Sequence, residues 1–93
     1  MRLSLALPFL ACLSLAVSAE IFHCPEEDVA ATKCAGPKDC LYPEPYNCDQ
    51  FIRCEVNDDG ITIQAITKDC PVGLEWNDKK KECVWPKDST CGL

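Results

Sequence analysis

From Gln50 onward, apolar and polar positions alternate in short runs that predict strands. Gln50 to Val56 carries Phe51, Ile52 and Val56, all strand formers. Asn57-Asp58-Asp59-Gly60 is a turn by composition, with Gly60 free to take positive φ. Ile61 to Thr67 is β-branched at five of seven positions, so a β-hairpin is expected. Alternation would set Ile61, Ile63 and Ala65 on one face and Thr62, Gln64 and Ile66 on the other. After Cys70-Pro71-Val72-Gly73 a second, shorter hairpin is expected. Its arms are Leu74-Glu75-Trp76 and Glu82-Cys83-Val84-Trp85, joined by a loop from Asn77 to Lys81.

Upstream the pattern is irregular. Tyr42-Pro43-Glu44-Pro45-Tyr46 should be extended, because a residue before proline is pushed out of the helical region. Gly36-Pro37 forbids regular structure between Cys34 and Cys40. Pro25-Glu26-Glu27-Asp28 suits the opening of a helical turn, and an irregular segment fits equally well.

The first nineteen residues have a different character. Arg2 is followed by an almost wholly apolar run from Leu3 to Val17 and by Val17-Ser18-Ala19, a small-residue cleavage signal. This predicts a signal peptide over 1–19 and a single domain over 20–93. The run is shorter than a membrane span needs. Cleavage leaves 74 of the 93 residues and removes Cys12, so nine cysteines become eight. It also removes Arg2, leaving eight basic residues against fifteen acidic ones, a charge of −7. So short a chain buries too little to offset backbone ordering, and disulfides in an oxidising compartment are the usual remedy. The acidity argues against nucleic acid and anionic membrane as partners.

Catalysis and metal binding find little support. His23 is the only histidine and sits near the expected mature N-terminus. No C-x2-C pair suggests zinc. Lys79-Lys80-Lys81, flanked by Asp78 and Glu82, reads as a solvated loop. The tryptophans carry more. Trp76 is expected exposed at a hairpin tip beside Asn77 and Asp78, an arrangement suited to stacking on a pyranose. Trp85, between Cys83 and Pro86, is the better candidate for a small core.

The cysteine frame sharpens this picture. Five, fifteen, twelve and seven residues separate Cys48, Cys54, Cys70, Cys83 and Cys91. Within it lie Cys70-Pro71-x-Gly73-Leu74-x-Trp76-Asn77 and Cys83-Val84-Trp85-Pro86. The combination resembles the type-2 chitin-binding domain, the peritrophin-A-like carbohydrate-binding module of family 14. Thr32 to Pro43, Gly73 to Asp78 and Ser89-Thr90-Cys91 resemble the chitin-binding avirulence effectors of leaf-infecting fungi. Cys34 and Cys40 supply the extra cysteine pair of that group.

The resemblance implies a small all-β, disulfide-rich fold: a central antiparallel sheet, a two-stranded hairpin and four disulfides. The implied pairs are Cys24–Cys54, Cys34–Cys40, Cys48–Cys91 and Cys70–Cys83. It implies a secreted binding protein, not an enzyme, with no cofactor. Its ligand would be β-1,4-linked N-acetylglucosamine polymer, held at the fungal wall and shielded from plant chitinases. A plant immune receptor is a second implied partner. The implied sugar-binding residues are Trp76, Asn77 and Asp78, with Asp49, Phe51 and Trp85 on the same face. Alternatives are a structural peritrophic-matrix or cuticle protein and a disulfide-rich enzyme inhibitor.

Overall fold

The computed structural model of the protein describes residues 22–92. The expected signal peptide lies outside the described residues. A short helix, α1 (Glu26–Thr32), comes first, so the helical reading of this segment holds. Glu26, Glu27 and Asp28 in its first turn face the positive end of the helix dipole. It stops where Lys33 turns left-handed (φ 59°) and its N–H donates to the Val29 carbonyl at 2.7 Å.

Three strands, β1 (Leu41–Pro43), β2 (Gln50–Val56) and β3 (Ile63–Asp69), form an antiparallel sheet in that order. Ile52 lies opposite Thr67, Cys54 opposite Ala65 and Val56 opposite Ile63. The third strand begins two residues later than its pattern suggests, and the turn explains why. The Asp59 carboxylate accepts from the N–H groups of Ile61 (2.8 Å) and Thr62 (2.9 Å) and from the Thr62 hydroxyl (2.8 Å). Both residues are thereby drawn into the loop. The same bonds hold the exposed Asp59 carboxyl below its usual pKa. Gly60 takes φ 73° as the turn requires.

The second hairpin is β4 (Glu75–Asn77) and β5 (Glu82–Val84), with Trp76 opposite Cys83. A 3-10 turn, Pro86–Asp88, follows.

The core occupies both faces of β2. One cluster gathers Cys34, Cys40 and Cys54 with Phe22, Val29, Tyr42 and Val56. The other gathers Leu41, Cys70 and Trp76 with Phe51, Leu74 and Cys83. Among the described residues, four of the seven buried apolar ones are cysteines, so the crosslinks are themselves core material. The bridges join Cys24 to Cys54, Cys34 to Cys40, Cys48 to Cys91 and Cys70 to Cys83. By contrast, most of β3 is exposed, including Ile63 and Ala65.

Candidate functional site

The two tryptophans exchange the environments expected of them. Trp76 is only 3% exposed, whereas Trp85 is 64% exposed. The cause is the placement of β4. Its Trp76 N–H donates to the Cys48 carbonyl at 2.9 Å, and its carbonyl accepts from Thr90 N–H at 3.2 Å. The strand is thus enclosed on both edges. The Phe51 ring then stacks on the indole, with centroids 4.4 Å apart and planes 12° apart. Trp85 lies past the end of β5 and starts the 3-10 turn, beyond the reach of this packing.

Asn77 is also buried, and its amide is engaged in building the loop. Its Oδ1 accepts from the N–H groups of Lys79 (3.0 Å) and Lys80 (2.8 Å), and its Nδ2 donates to the Asp88 carbonyl at 2.8 Å. It shapes the hairpin end rather than facing outward. Asp78 differs. Its Oδ1 accepts from Trp76 Nε1 (3.2 Å) and Lys81 Nζ (2.8 Å), while its other oxygen accepts no hydrogen bond among the described residues.

Lys81 departs from the solvated-loop reading of the lysine run. Its ammonium also donates to the Leu41 carbonyl at 3.0 Å and lies 5.6 Å from the centre of the Tyr42 ring. Lys79 and Lys80 are exposed as expected. The Tyr42 hydroxyl in turn donates to Asp28 at 2.6 Å, tying α1 to the sheet. Burial, and then the adjacent Asp28 carboxylate, push its phenol well above the ordinary value.

Trp76 and Asp78 border an open groove of about 320 Å3. Pro43 and the Cys48–Cys91 bridge supply apolar surface. Glu44, Asn47, Gln50, Lys79 and Thr90 supply polar groups. Glu44 Oε1 accepts from the N–H groups of Tyr46 and Asn47, Asn47 Nδ2 donates to Gln50, and the Thr90 hydroxyl accepts from Asp78 N–H. These residues are therefore held in place before any ligand arrives. Apolar surface beside fixed amide, carboxylate and hydroxyl groups suits a neutral, hydroxyl-rich ligand.

Of the six residues implied for sugar contact, the structure brings Trp76 and Asp78 to this groove. Asn77 and Phe51 lie behind it as support, and neither Asp49 nor Trp85 lines it. Glu44, Asn47 and Thr90 line the groove but are not among the residues implied by the resemblance. Thr90 alone carried a signal, through the run Ser89-Thr90-Cys91.

Residues 34–91 match the family model of the chitin binding Peritrophin-A domain, and the chain belongs to that family, whose members are binding rather than catalytic modules. A curated relative, Race-specific elicitor A4 of Passalora fulva, is 47% identical over 70 residues, 73% of this chain and 52% of that protein. Peritrophin-1 of Anopheles gambiae is 33% identical over 51 residues, 55% of this chain and 29% of that protein. The chain thus spans about half or less of the curated relatives it matches. Avirulence protein 4 (Avr4) from Pseudocercospora fuligena is 47% identical with a TM-score of 0.68, over 81% of this chain and 100% of that one. Avr4 from Cladosporium fulvum, solved bound to the hexasaccharide of chitin, is 43% identical with a TM-score of 0.71, over 81% of this chain and 98% of that one.

Proposed function

We propose that this protein is a secreted effector that binds chitin, coats the fungal cell wall and shields it from plant chitinases. The observation that carries the reading is the likeness to the Avr4 structure bound to the chitin hexasaccharide. In this reading, cleavage after Ala19 releases a binding unit spanning 20–93. Protection arises by occlusion of the polymer. A plant immune receptor that recognises the protein is its second partner.

The residues divide the work by exposure. Stacking on a pyranose needs an open ring face, and Trp85 has one. The free Asp78 oxygen, the Thr90 hydroxyl and Asn47 in the groove hydrogen-bond hydroxyl and acetamido groups. Trp76 and Phe51 hold the groove's shape from beneath.

The test has two stages. The first is a pull-down on insoluble chitin, chitosan, cellulose and xylan, with retention expected on chitin. Equal retention on cellulose, which lacks the acetamido group, would overturn the ligand assignment. The second compares sugar release by plant endochitinase from coated and bare chitin. Less release from coated chitin is expected. Inhibition that persists on a small soluble substrate would point instead to direct enzyme inhibition.

A further inference from the structure

Lys81 adopts φ 56°, in the left-handed region where glycine and asparagine sit with least strain. A lysine nevertheless occupies the position, and its side chain is only 32% exposed. The ammonium reaches two groups on separate elements: Asp78 Oδ1 in the hairpin loop at 2.8 Å and the Leu41 carbonyl on β1 at 3.0 Å. Asp78 lines the groove from the hairpin, and Pro43, on the same strand as Leu41, lines it from β1. Lys81 thus ties one wall of the groove to the strand that carries another.

The loop backbone is built without this ammonium. Asn77 Oδ1 accepts from Lys79 and Lys80 N–H, the Asn77 carbonyl accepts from Lys81 N–H at 2.8 Å, and Asp78 N–H donates to the Thr90 hydroxyl. Lys38, from the Cys34–Cys40 loop, donates to the Lys80 carbonyl at 2.9 Å and to Glu82 at 3.2 Å. The Asp78 carboxylate is different. Among the described residues it is held only by Lys81 Nζ and, at the longer distance of 3.2 Å, by Trp76 Nε1. Lys81 itself does not line the groove, whereas Lys79 does. What the ammonium does for a ligand it therefore does through Asp78.

On the reading of the groove as a chitin site, we propose that Lys81 is a positioning residue that sets the groove's preference for acetylated over deacetylated sugar. Two donors occupy Asp78 Oδ1, which leaves the unpartnered Oδ2 as an acceptor of fixed direction for an acetamido N–H or a hydroxyl. The same ammonium offsets the Asp78 charge. Glu44 and Lys79 are the other charged residues lining the groove, so with Lys81 paired its acids and bases balance. A balanced groove exerts little pull on the ammonium of a deacetylated sugar. A hydrogen bond to a neutral amide depends on direction, whereas attraction for a cation does not and survives a loosened carboxylate. Loss of the Lys81 ammonium therefore acts on the two ligands in opposite senses.

The experiment compares the parent with Lys81→Met, Lys81→Arg, Asp78→Ala and the combined Lys81→Met, Asp78→Ala variant. Each is titrated with hexamers of N-acetylglucosamine and of glucosamine, well below its melting temperature. Lys81→Met should weaken the acetylated hexamer about fivefold and lower the ratio of acetylated to deacetylated affinity about tenfold. Lys81→Arg, which keeps the charge and the donors, should restore most of both. In the Asp78→Ala background, Lys81→Met should change affinity for the acetylated hexamer less than about twofold, because the partner through which it acts is gone. In the free protein, the Trp76 indole N–H resonance should move on Lys81→Met toward its position in Asp78→Ala. Normal binding and an unchanged ligand ratio in Lys81→Met would overturn the proposal. So would an equal loss in both backgrounds, or a Lys81→Met chain that fails to fold, since either assigns the ammonium to structure alone. A parent that does not bind the acetylated hexamer would overturn the chitin reading instead, and the indole resonance then decides whether Lys81 places Asp78.

Discussion

The Phe51 ring lies flat on the Trp76 indole, 4.4 Å centre to centre, and joins the central sheet to the second hairpin. Trp76→Ala should therefore cost about 3–5 kcal/mol of stability. Phe51→Leu should cost about 1–2 kcal/mol, because most apolar bulk remains and the aromatic pairing is lost. Trp85→Ala, at an exposed position, should stay within about 0.5 kcal/mol of the parent. Guanidinium unfolding of the three variants checks this. Equal losses at Trp76 and Trp85 would contradict the burial that separates them.

Chitin-oligomer affinity should show the opposite ranking among variants that remain folded. Trp85→Ala should weaken hexasaccharide binding about tenfold or more with an unchanged melting curve, as expected of a stacking ring. Asp78→Asn should weaken it less, since the amide retains hydrogen-bonding capacity. Calorimetric titration of both variants is the measurement. The parent affinity should change little with salt, because the ligand is uncharged.

The Cys48–Cys91 bridge closes a separation of 43 residues and forms part of the groove. On the chain-entropy estimate, its removal by Cys48→Ser with Cys91→Ser should cost about 4 kcal/mol. Removing Cys34–Cys40, with a separation of 6, should cost about 2 kcal/mol. Chitin retention should be lost with the first pair before the chain unfolds globally, and retained with the second. Thermal melts run beside chitin pull-downs test the distinction.

Tyr42 makes stability pH-dependent on the alkaline side. Its folded-state pKa is raised above the ordinary 10.0, so the neutral phenol is favoured. Its contribution is whole below pH 10 and is lost as pH rises through the folded value. Tyr42→Phe removes the bond to Asp28 and with it this alkaline decline. Denaturant melts of both proteins at a series of alkaline pH values should converge as pH rises.

The longer hairpin was legible because its signals are local: β-branched runs on either side of Asn57-Asp58-Asp59-Gly60. Its exact start was not, since it depends on where the Asp59 carboxylate points. The cysteine frame carried the disulfide pairs only through the family resemblance. The environments of the two tryptophans are set by tertiary packing. Three-residue strands give no periodicity to read, and Trp76 is buried by Phe51, which is distant in sequence, and by backbone bonds to Cys48 and Thr90. Lys81 reads as part of a solvated loop for the same reason, because its partners Leu41 and Tyr42 lie on another strand.

The groove's wall residues are fastened before ligand arrives: Glu44 to the backbone of Tyr46 and Asn47, Asp78 to Lys81, and Cys48 to Cys91 by a covalent bond. Association then orders few protein side chains, and most of the conformational entropy lost belongs to the sugar chain. Chitin packed in a wall has already lost that freedom. The protein should therefore favour assembled polymer over loose fragments of the same length, and remain on the wall while fragments diffuse past it.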